Sequence, residues 1–179
     1  NASEVQEALR VIPVGRDAVV FAAHPDVGIE NVSSEELLDI YSGRRHTFAD
    51  GSPVTVLLRD RGESANLAID VGIPGMAGVR EQAGRLGFRV LYHDDAMAAA
   101  LAVTPGAIGV YAYGLLRETR IPLKVLKLDG RTPSRQTLSD GTWPLVRPLA
   151  LVVRADRLEH VRWFLRFVVS PEGTRIIED

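Results

Sequence analysis

Val54-Thr55-Val56-Leu57-Leu58 is a continuous run of β-branched and aliphatic residues, and it is followed at once by Arg59-Asp60-Arg61-Gly62-Glu63-Ser64. The run predicts a buried strand, and the polar segment predicts a turn into a helix that begins near Ser64. Ser64 can cap that helix, whose first amide groups carry a partial positive charge, while Arg59 presents a planar fork of donors at the end of the strand. This layout predicts a site for an oxyanion, and such a site requires no catalysis.

The composition limits what kind of protein this chain is. It has 179 residues, of which 46% are hydrophobic, so it can bury a core as one domain or as two small lobes. Its 21 basic and 23 acidic residues give a net charge of -2, which excludes a general attraction to nucleic acid or to an anionic membrane surface. We therefore expect any bound anion to be held locally.

The sequence contains neither cysteine nor a long apolar stretch. Without cysteine, disulfides, thiolate catalysis and cysteine-ligated metals are excluded. No stretch approaches the roughly 18 apolar residues that span a bilayer, and the N-terminus lacks the pattern of a signal peptide. Asn1-Ala2 has the character of an expression scar, so we expect the natural protein to be longer.

Strands and helices alternate along the chain with short turns, which predicts an α/β fold. Ser33 and Glu36 form a capping box before a helix that ends at Gly43. Further helices are predicted over 64–71, 75–86, 94–103, 157–169 and 171–178, the last beginning at a proline, and 129–142 is predicted to be a loop. The predicted strands cover 9–14, 18–23, 54–58, 89–92, 107–110, 123–126 and 144–153, and the last of these is interrupted at Arg147-Pro148.

Several short motifs occur in a characteristic order. They are IPVGRDAVV (12–20), VSSEEL (32–37) with IYSG (40–43), RDRGES (59–64), PGAIGVY (105–111), RPL (147–149), and FL (164–165) with SPEG (170–173). Together they resemble the phosphate-type substrate-binding proteins of bacterial ABC transporters. The resemblance implies a type 2 periplasmic-binding fold, in which two α/β lobes joined by two crossing strands close on an anion without catalysing a reaction.

The resemblance also implies a division of the chain. The N-terminal half of the first lobe has no counterpart here, so we expect a fragment with one complete α/β lobe and the C-terminal part of the other. Residues 1–20 correspond to the first inter-lobe crossing, 21–142 to the second lobe, and 143–179 to the return crossing with the C-terminal part of the first lobe. An extracytoplasmic location and a membrane permease as partner are implied by the family alone.

Only the second-lobe half of the family's anion site has matching positions. Arg59 corresponds to the arginine that forks onto the anion, but the family's Ser-Gly-Thr at the next helix start is replaced by Glu63-Ser64-Ala65-Asn66. Ser64 and Asn66 can supply side-chain donors, and Ala65 and Asn66 can supply backbone amides. A carboxylate at Glu63 would repel a bound anion, so either Glu63 turns outward or the ligand is not phosphate.

Other residues that could carry chemistry have simpler structural explanations. Arg61 is read as a surface residue, and His93-Asp94-Asp95 as a strand-to-helix turn with an aspartate N-cap rather than a metal site. The other histidines, His24, His46 and His160, receive no role, and Tyr111, Tyr113 and Trp143 are read as packing residues. No cofactor is implied.

Three functional questions stay open at this point. The same fold and site would serve the ligand-sensing domain of a regulator or receptor. An enzyme has little support, because no nucleophile with an oriented base, no metal cluster and no phosphate loop is present in the sequence. Half a site does not distinguish phosphate from molybdate, tungstate, sulfate or a small organic anion.

The predicted truncation has a consequence for assembly. With half of one lobe missing, the apolar face of the C-terminal helix, which includes Trp163, Phe164, Phe167 and Val168, would be partly uncovered. Uncovered faces and sheet edges of this kind favour pairing between molecules. We therefore expect the chain to self-associate through its C-terminal segment.

Overall fold

A computed structural model of the chain describes residues 8–118 and 121–178. It divides into two compact units. The larger unit is formed by Asp17–Arg147, and the smaller one by the described residues up to Arg16 together with those from Pro148 onward.

The described residues form eight strands and eight α-helices, in the mixed order expected of an α/β fold. The strands are β1 (Leu9–Ala23), β2 (Asn31–Val32), β3 (Thr55–Arg59), β4 (Arg89–Leu91), β5 (Ala107–Ala112), β6 (Lys124–Val125), β7 (Lys127–Leu128) and β8 (Val146–Arg154). The helices are α1 (Ser34–Tyr41), α2 (Ser64–Gly72), α3 (Met76–Ala83), α4 (Asp94–Val103), α5 (Tyr113–Glu118), α6 (Arg135–Ser139), α7 (Leu158–Val168) and α8 (Pro171–Glu178).

One sheet organises the larger unit. Its strand order is β4-β3-β5-β1-β6, and β8 also pairs with β1. Strand β3 runs parallel to both β4 and β5, whereas β5 is antiparallel to β1, with Val20 opposite Tyr111. The part of β1 from Ala18 to Ala23 is almost wholly excluded from solvent. Strand β3 lies between two strands, and its last residue, Arg59, is buried.

The strongest local signals of the sequence are confirmed. Ser33 caps α1, and the reciprocal hydrogen bonds of the capping box are both formed with Glu36. The chain leaves this helix through Gly43, whose φ of 73° is readily adopted only by glycine. Pro171 begins α8, and Ser170 separates it from α7 by donating a hydrogen bond from its hydroxyl to the Phe167 carbonyl.

The predicted break between strands 9–14 and 18–23 is wrong, because β1 is continuous through Gly15-Arg16-Asp17. Asp17 looks like a turn residue, yet its carboxylate accepts hydrogen bonds from the Gly114 amide and from Arg147. A polar residue can remain in a strand when partners distant in sequence satisfy it.

Two other expectations also change. The predicted loop 129–142 contains α6, which begins with a second capping box, formed by Ser134 and Thr137. The predicted break at Arg147-Pro148 is absent, since β8 runs through it. In the described part of the chain β8 pairs only with β1, and an edge strand tolerates a proline because one side of it needs no ladder hydrogen bonds.

The smaller unit contains α7, α8 and a short 3₁₀ helix, Ala155–Arg157. The Ala155 amide donates a hydrogen bond to the Ala8 carbonyl at 2.7 Å, which joins the two chain segments of this unit. Several apolar side chains on the two helices are exposed, and they are Trp163, Phe164, Phe167, Ile176 and Ile177. Among the residues described, no helix has the length and apolar character needed to cross a bilayer.

The packing of α2 provides a test of this fold. A Cβ atom at Gly72 would lie 2.6 Å from Leu145 Cδ2 and 2.7 Å from the Pro144 carbonyl oxygen, and the backbone cannot move aside cheaply. We expect Gly72→Ala to lower the free energy of unfolding by about 2 kcal/mol in urea denaturation. Gly78→Ala is the matched control, because a Cβ there meets nothing within 4 Å and alanine favours a helix by about 0.5–1 kcal/mol. Equal stability of Gly72→Ala and the wild type would contradict this packing.

Candidate functional site

Arg59 lies at the end of β3 and is the deepest charged group of the site. Its side chain is only 2% exposed. The guanidinium nitrogen Nη2 lies 2.7 Å from Glu63 Oε2 and 3.1 Å from Asp94 Oδ1. The second terminal nitrogen, Nη1, is buried and has no hydrogen-bond partner among the described residues. Arg59 therefore has its charge balanced but keeps one unused donor.

Glu63 turns into the site rather than toward solvent. Besides its contact with Arg59, its Oε1 accepts hydrogen bonds from the Ser64 amide at 3.0 Å and from the Ser64 hydroxyl at 3.2 Å. Glu63 is thus the N-cap of α2, and Ser64 is the first helical residue, so the expectation that Ser64 caps this helix is wrong. The longer side chain takes the cap because it can reach the helix amide and Arg59 together. Its carboxylate therefore lies between the Arg59 guanidinium and the first amide of α2.

Asp94 enters the site from the start of α4. The expectation that an aspartate caps this helix is wrong, because His93 is the N-cap and makes no side-chain cap hydrogen bond. Asp94 is the first helical residue, and its carboxylate pairs with Arg59 instead. Strand β4 places it there, since β4 runs beside β3 with Leu91 opposite Arg59 and leads directly into α4.

A second arginine lies on the other side of Ser64. Arg147 donates from Nε and Nη2 to Asp17 Oδ2, at 3.1 and 2.9 Å. Its Nη1 lies 3.4 Å from the Ser64 hydroxyl and 4.0 Å from Glu63 Oε1. Asp17 is fixed in turn by the Gly114 amide at 3.0 Å. Arg147 is therefore held at the edge of the site with a nitrogen facing Glu63.

The other predicted ligand residues also lie at the start of α2. Ala65 and Asn66 are buried in its first turn, at 4% and 2% exposure. The Asn66 side chain already donates a hydrogen bond to the Asp60 carbonyl at 2.6 Å, which closes the loop between β3 and α2. The backbone amide of Asn66 donates a hydrogen bond to the backbone carbonyl of Glu63 at 3.0 Å. Asn66 thus stabilises the loop in this structure, and its role toward a ligand stays a prediction.

Acidic groups outnumber basic ones in the cluster. Arg59 and Arg147 face Asp17, Glu63 and Asp94, which leaves one excess negative charge. Burial raises the pKa of Glu63, but the hydrogen bonds and charge of Arg59, with those from Ser64, outweigh it and hold that pKa below its usual value. With Glu63 ionised, these five side chains therefore carry a net charge of one negative unit.

The remaining candidates behave as structural residues. Arg61 is exposed, while Tyr111 and Trp143 are buried, and the Trp143 indole donates a hydrogen bond to the Val19 carbonyl. Within residues 8–118 and 121–178 no group of three or more His, Asp or Glu side chains is arranged to hold a metal ion. Sequence reasoning missed Asp17, Asp94 and Arg147 as members of the cluster.

A family model described as a PBP superfamily domain matches residues 2–172. The chain belongs to this superfamily. The phosphate-binding protein PstS of Borreliella burgdorferi is 22% identical over an alignment of 185 positions that covers 98% of this chain and 66% of that protein. The phosphate-binding protein PstS of Bacillus subtilis is 25% identical over an alignment of 133 positions that covers 69% of this chain and 40% of that protein. The chain thus spans less than two thirds of these curated relatives.

Solved structures show the same fold. A substrate-binding protein from Clostridium perfringens with bound phosphate superimposes with a TM-score of 0.82 and 18% identity, over 99% of this chain and 72% of that one. A phosphate transport receptor from Vibrio cholerae gives a TM-score of 0.67 and 16% identity, over 99% and 73% of the two chains. The expectation of an α/β fold of the type 2 periplasmic-binding class is confirmed.

The Glu63 contacts predict a pH dependence of stability. Because the pKa of Glu63 is lowered in the folded protein, its stabilisation is complete above the ordinary glutamate pKa of 4.5 and is lost as the pH falls through the folded-state value. We expect Glu63→Gln to cost about 1–2 kcal/mol at pH 7, as for the loss of a charged hydrogen bond. The difference in the free energy of unfolding between Glu63→Gln and the wild type should shrink below pH 4.5. Urea denaturation at a series of pH values measures this difference.

Glu81→Gln, at an exposed position on α3, is the control. If the difference in unfolding free energy between Glu63→Gln and the wild type stays constant down to pH 3, the charge of Glu63 contributes nothing to stability.

Proposed function

We propose that this chain is part of the extracytoplasmic solute-binding component of an ABC transporter, and that it binds a small oxyanion, in the first place phosphate. The observation that carries the proposal is the buried Arg59 guanidinium at the start of α2, in a fold shared with phosphate-binding proteins. A positively charged fork beside a helix N-terminus is suited to a tetrahedral anion. The relatives named above support phosphate as the ligand to test first.

The proposed ligand residues are Arg59, Ser64, Ala65 and Asn66. Arg59 would contribute its guanidinium, including the buried Nη1 donor that has no partner in the described part of the chain. Ser64 would contribute its amide and hydroxyl, which now bond to Glu63. The amides of Ala65 and Asn66 lie in the same helical turn, where the helix dipole favours negative charge. All four belong to the larger unit.

Transport rather than catalysis follows from the same family relation. Every relative named above is a binding protein or a transport receptor. This supports the proposal that the protein binds its ligand and delivers it to a membrane permease. An extracytoplasmic location is proposed on the same ground. None of these relatives is a regulator, so the alternative of a ligand-sensing domain gains no support.

The anion site can be tested by calorimetric titration of the natural full-length protein with phosphate, sulfate, molybdate and tungstate. We expect Arg59→Ala to weaken the preferred anion by about 100-fold, since a buried charged donor to an oxyanion is worth about 1.5–3 kcal/mol or more. Arg59→Lys keeps the charge without the fork and should give a smaller loss. Arg61→Ala is the control, because that arginine is exposed and only two positions away. Equal losses in Arg59→Ala and Arg61→Ala would reject the site, and no binding of any anion by the wild type would reject the function.

We also propose that the chain self-associates through its C-terminal helices. Trp163 is 72% exposed, and Phe164 and Phe167 are each 40% exposed. Apolar side chains grouped in this way favour contact with another molecule.

Light scattering at increasing protein concentration tests this association. We expect a mass above that of the monomer, and a return to the monomer mass for Trp163→Ser combined with Phe167→Ser, because these changes remove apolar surface. Arg166→Ser is a control on the same helix, at an exposed polar position. A monomer mass for the wild type at every concentration would disprove self-association.

A further inference from the structure

Glu63 makes the contacts that a bound oxyanion would need. One of its oxygens lies 2.7 Å from the Arg59 guanidinium, and the other accepts hydrogen bonds from the amide and the hydroxyl of Ser64. We propose that Glu63 is an internal competitor that occupies the anion site, so that an oxyanion binds only after displacing the Glu63 carboxylate from Arg59 and Ser64. This inference rests on the proposed function and adds the residue that controls access to the site.

The burial of the two partners supports displacement of Glu63 rather than of Arg59. The Arg59 side chain is 2% exposed, whereas that of Glu63 is 23% exposed. Asp94 holds the same Arg59 nitrogen at 3.1 Å from the opposite helix, so Arg59 keeps a counter-ion and its position when Glu63 leaves. Rotation of one partly exposed side chain therefore uncovers a cation that is otherwise inaccessible.

Arg147 gives the displaced carboxylate a place to go. Its Nη1 lies 4.0 Å from Glu63 Oε1, while its other nitrogens stay bonded to Asp17. A carboxylate that leaves Arg59 can move toward Arg147 and remain partnered. The exchange also keeps the charge of the buried Arg59 balanced, because one anion replaces another.

A competitor of this kind lowers the affinity for every ligand that must displace it by the same factor, so the selectivity of the site comes from what each ligand offers to Arg59 and Ser64. Because Glu63 is attached to the protein, its effective concentration at Arg59 is in the millimolar range or above. A free monocarboxylate would form the same two-oxygen contacts and gains nothing over Glu63. A tetrahedral dianion carries more charge than a monocarboxylate and has further oxygens to accept hydrogen bonds from Arg59 and Ser64. The site should therefore prefer phosphate or sulfate over acetate.

The test compares the wild type with Glu63→Gln and Glu63→Ser by calorimetric titration with phosphate, sulfate and acetate at pH 7. Glu63→Gln removes the charge at nearly constant size, and Glu63→Ser retains a side chain that can cap α2. We expect phosphate and sulfate to bind about tenfold more tightly or better to both variants, the gain for a competitor that fills the site at least nine-tenths of the time. The ratio of acetate to sulfate affinity should stay the same in both, because a shared competitor lowers the two affinities by the same factor. Glu81→Gln, exposed on α3, should match the wild type.

Each outcome separates this inference from the function on which it rests. Binding to the variants but not to the wild type would overturn displacement by an oxyanion, and with it the proposed function of the wild type, because the Glu63 carboxylate would then never leave the site. Equal or weaker binding by both folded variants, as judged by their thermal melting, would overturn the competitor and leave the oxyanion function standing. No binding of phosphate or sulfate by any of the three proteins would overturn both.

Discussion

The burial of the Arg59 guanidinium is the constraint on which the rest of the site depends. A cation removed from water costs several kcal/mol unless carboxylates lie within hydrogen-bond distance. Glu63 and Asp94 both meet that demand at the same nitrogen, and they come from the loop after β3 and from the start of α4. The positions of these two helix starts are therefore tied to one side chain at the end of β3.

Glu63 satisfies two needs of the fold at once. It neutralises Arg59, and it accepts the first amide of α2, which no helical carbonyl could reach. When Glu63 leaves, both the cation and the helix end require another acceptor. A tetrahedral oxyanion has enough oxygens to serve both, so the contacts that Glu63 makes with Arg59 and Ser64 also specify what can replace it. Stability without ligand and affinity for ligand are thus opposed at this residue.

Much of the fold could be predicted from the sequence because its signals are local. The capping box at Ser33 and the proline at 171 act within one helical turn, and they fixed two helix starts correctly. The failures occurred where a distant partner overrides a local tendency. Asp17 favours a turn in isolation, but Arg147, 130 residues away, holds it in a continuous strand.

The residues of the site also differ in how far their partners lie along the sequence. Arg59, Glu63 and Ser64 lie within six residues, so a strand followed by a polar turn was enough to place them together. Asp94 and Arg147 reach the cluster through strand pairing, which no short motif reveals, and the sequence around Asp94 predicts only a helix cap because that role needs no distant partner. From the sequence, we expect either that Glu63 turns outward or that the ligand is not phosphate. Both alternatives treat the Glu63 carboxylate as a group that cannot move. The Glu63 side chain packs against Arg59 but is 23% exposed, so it can both occupy the site and leave it. Ligand binding then exchanges one anion, the Glu63 carboxylate, for another.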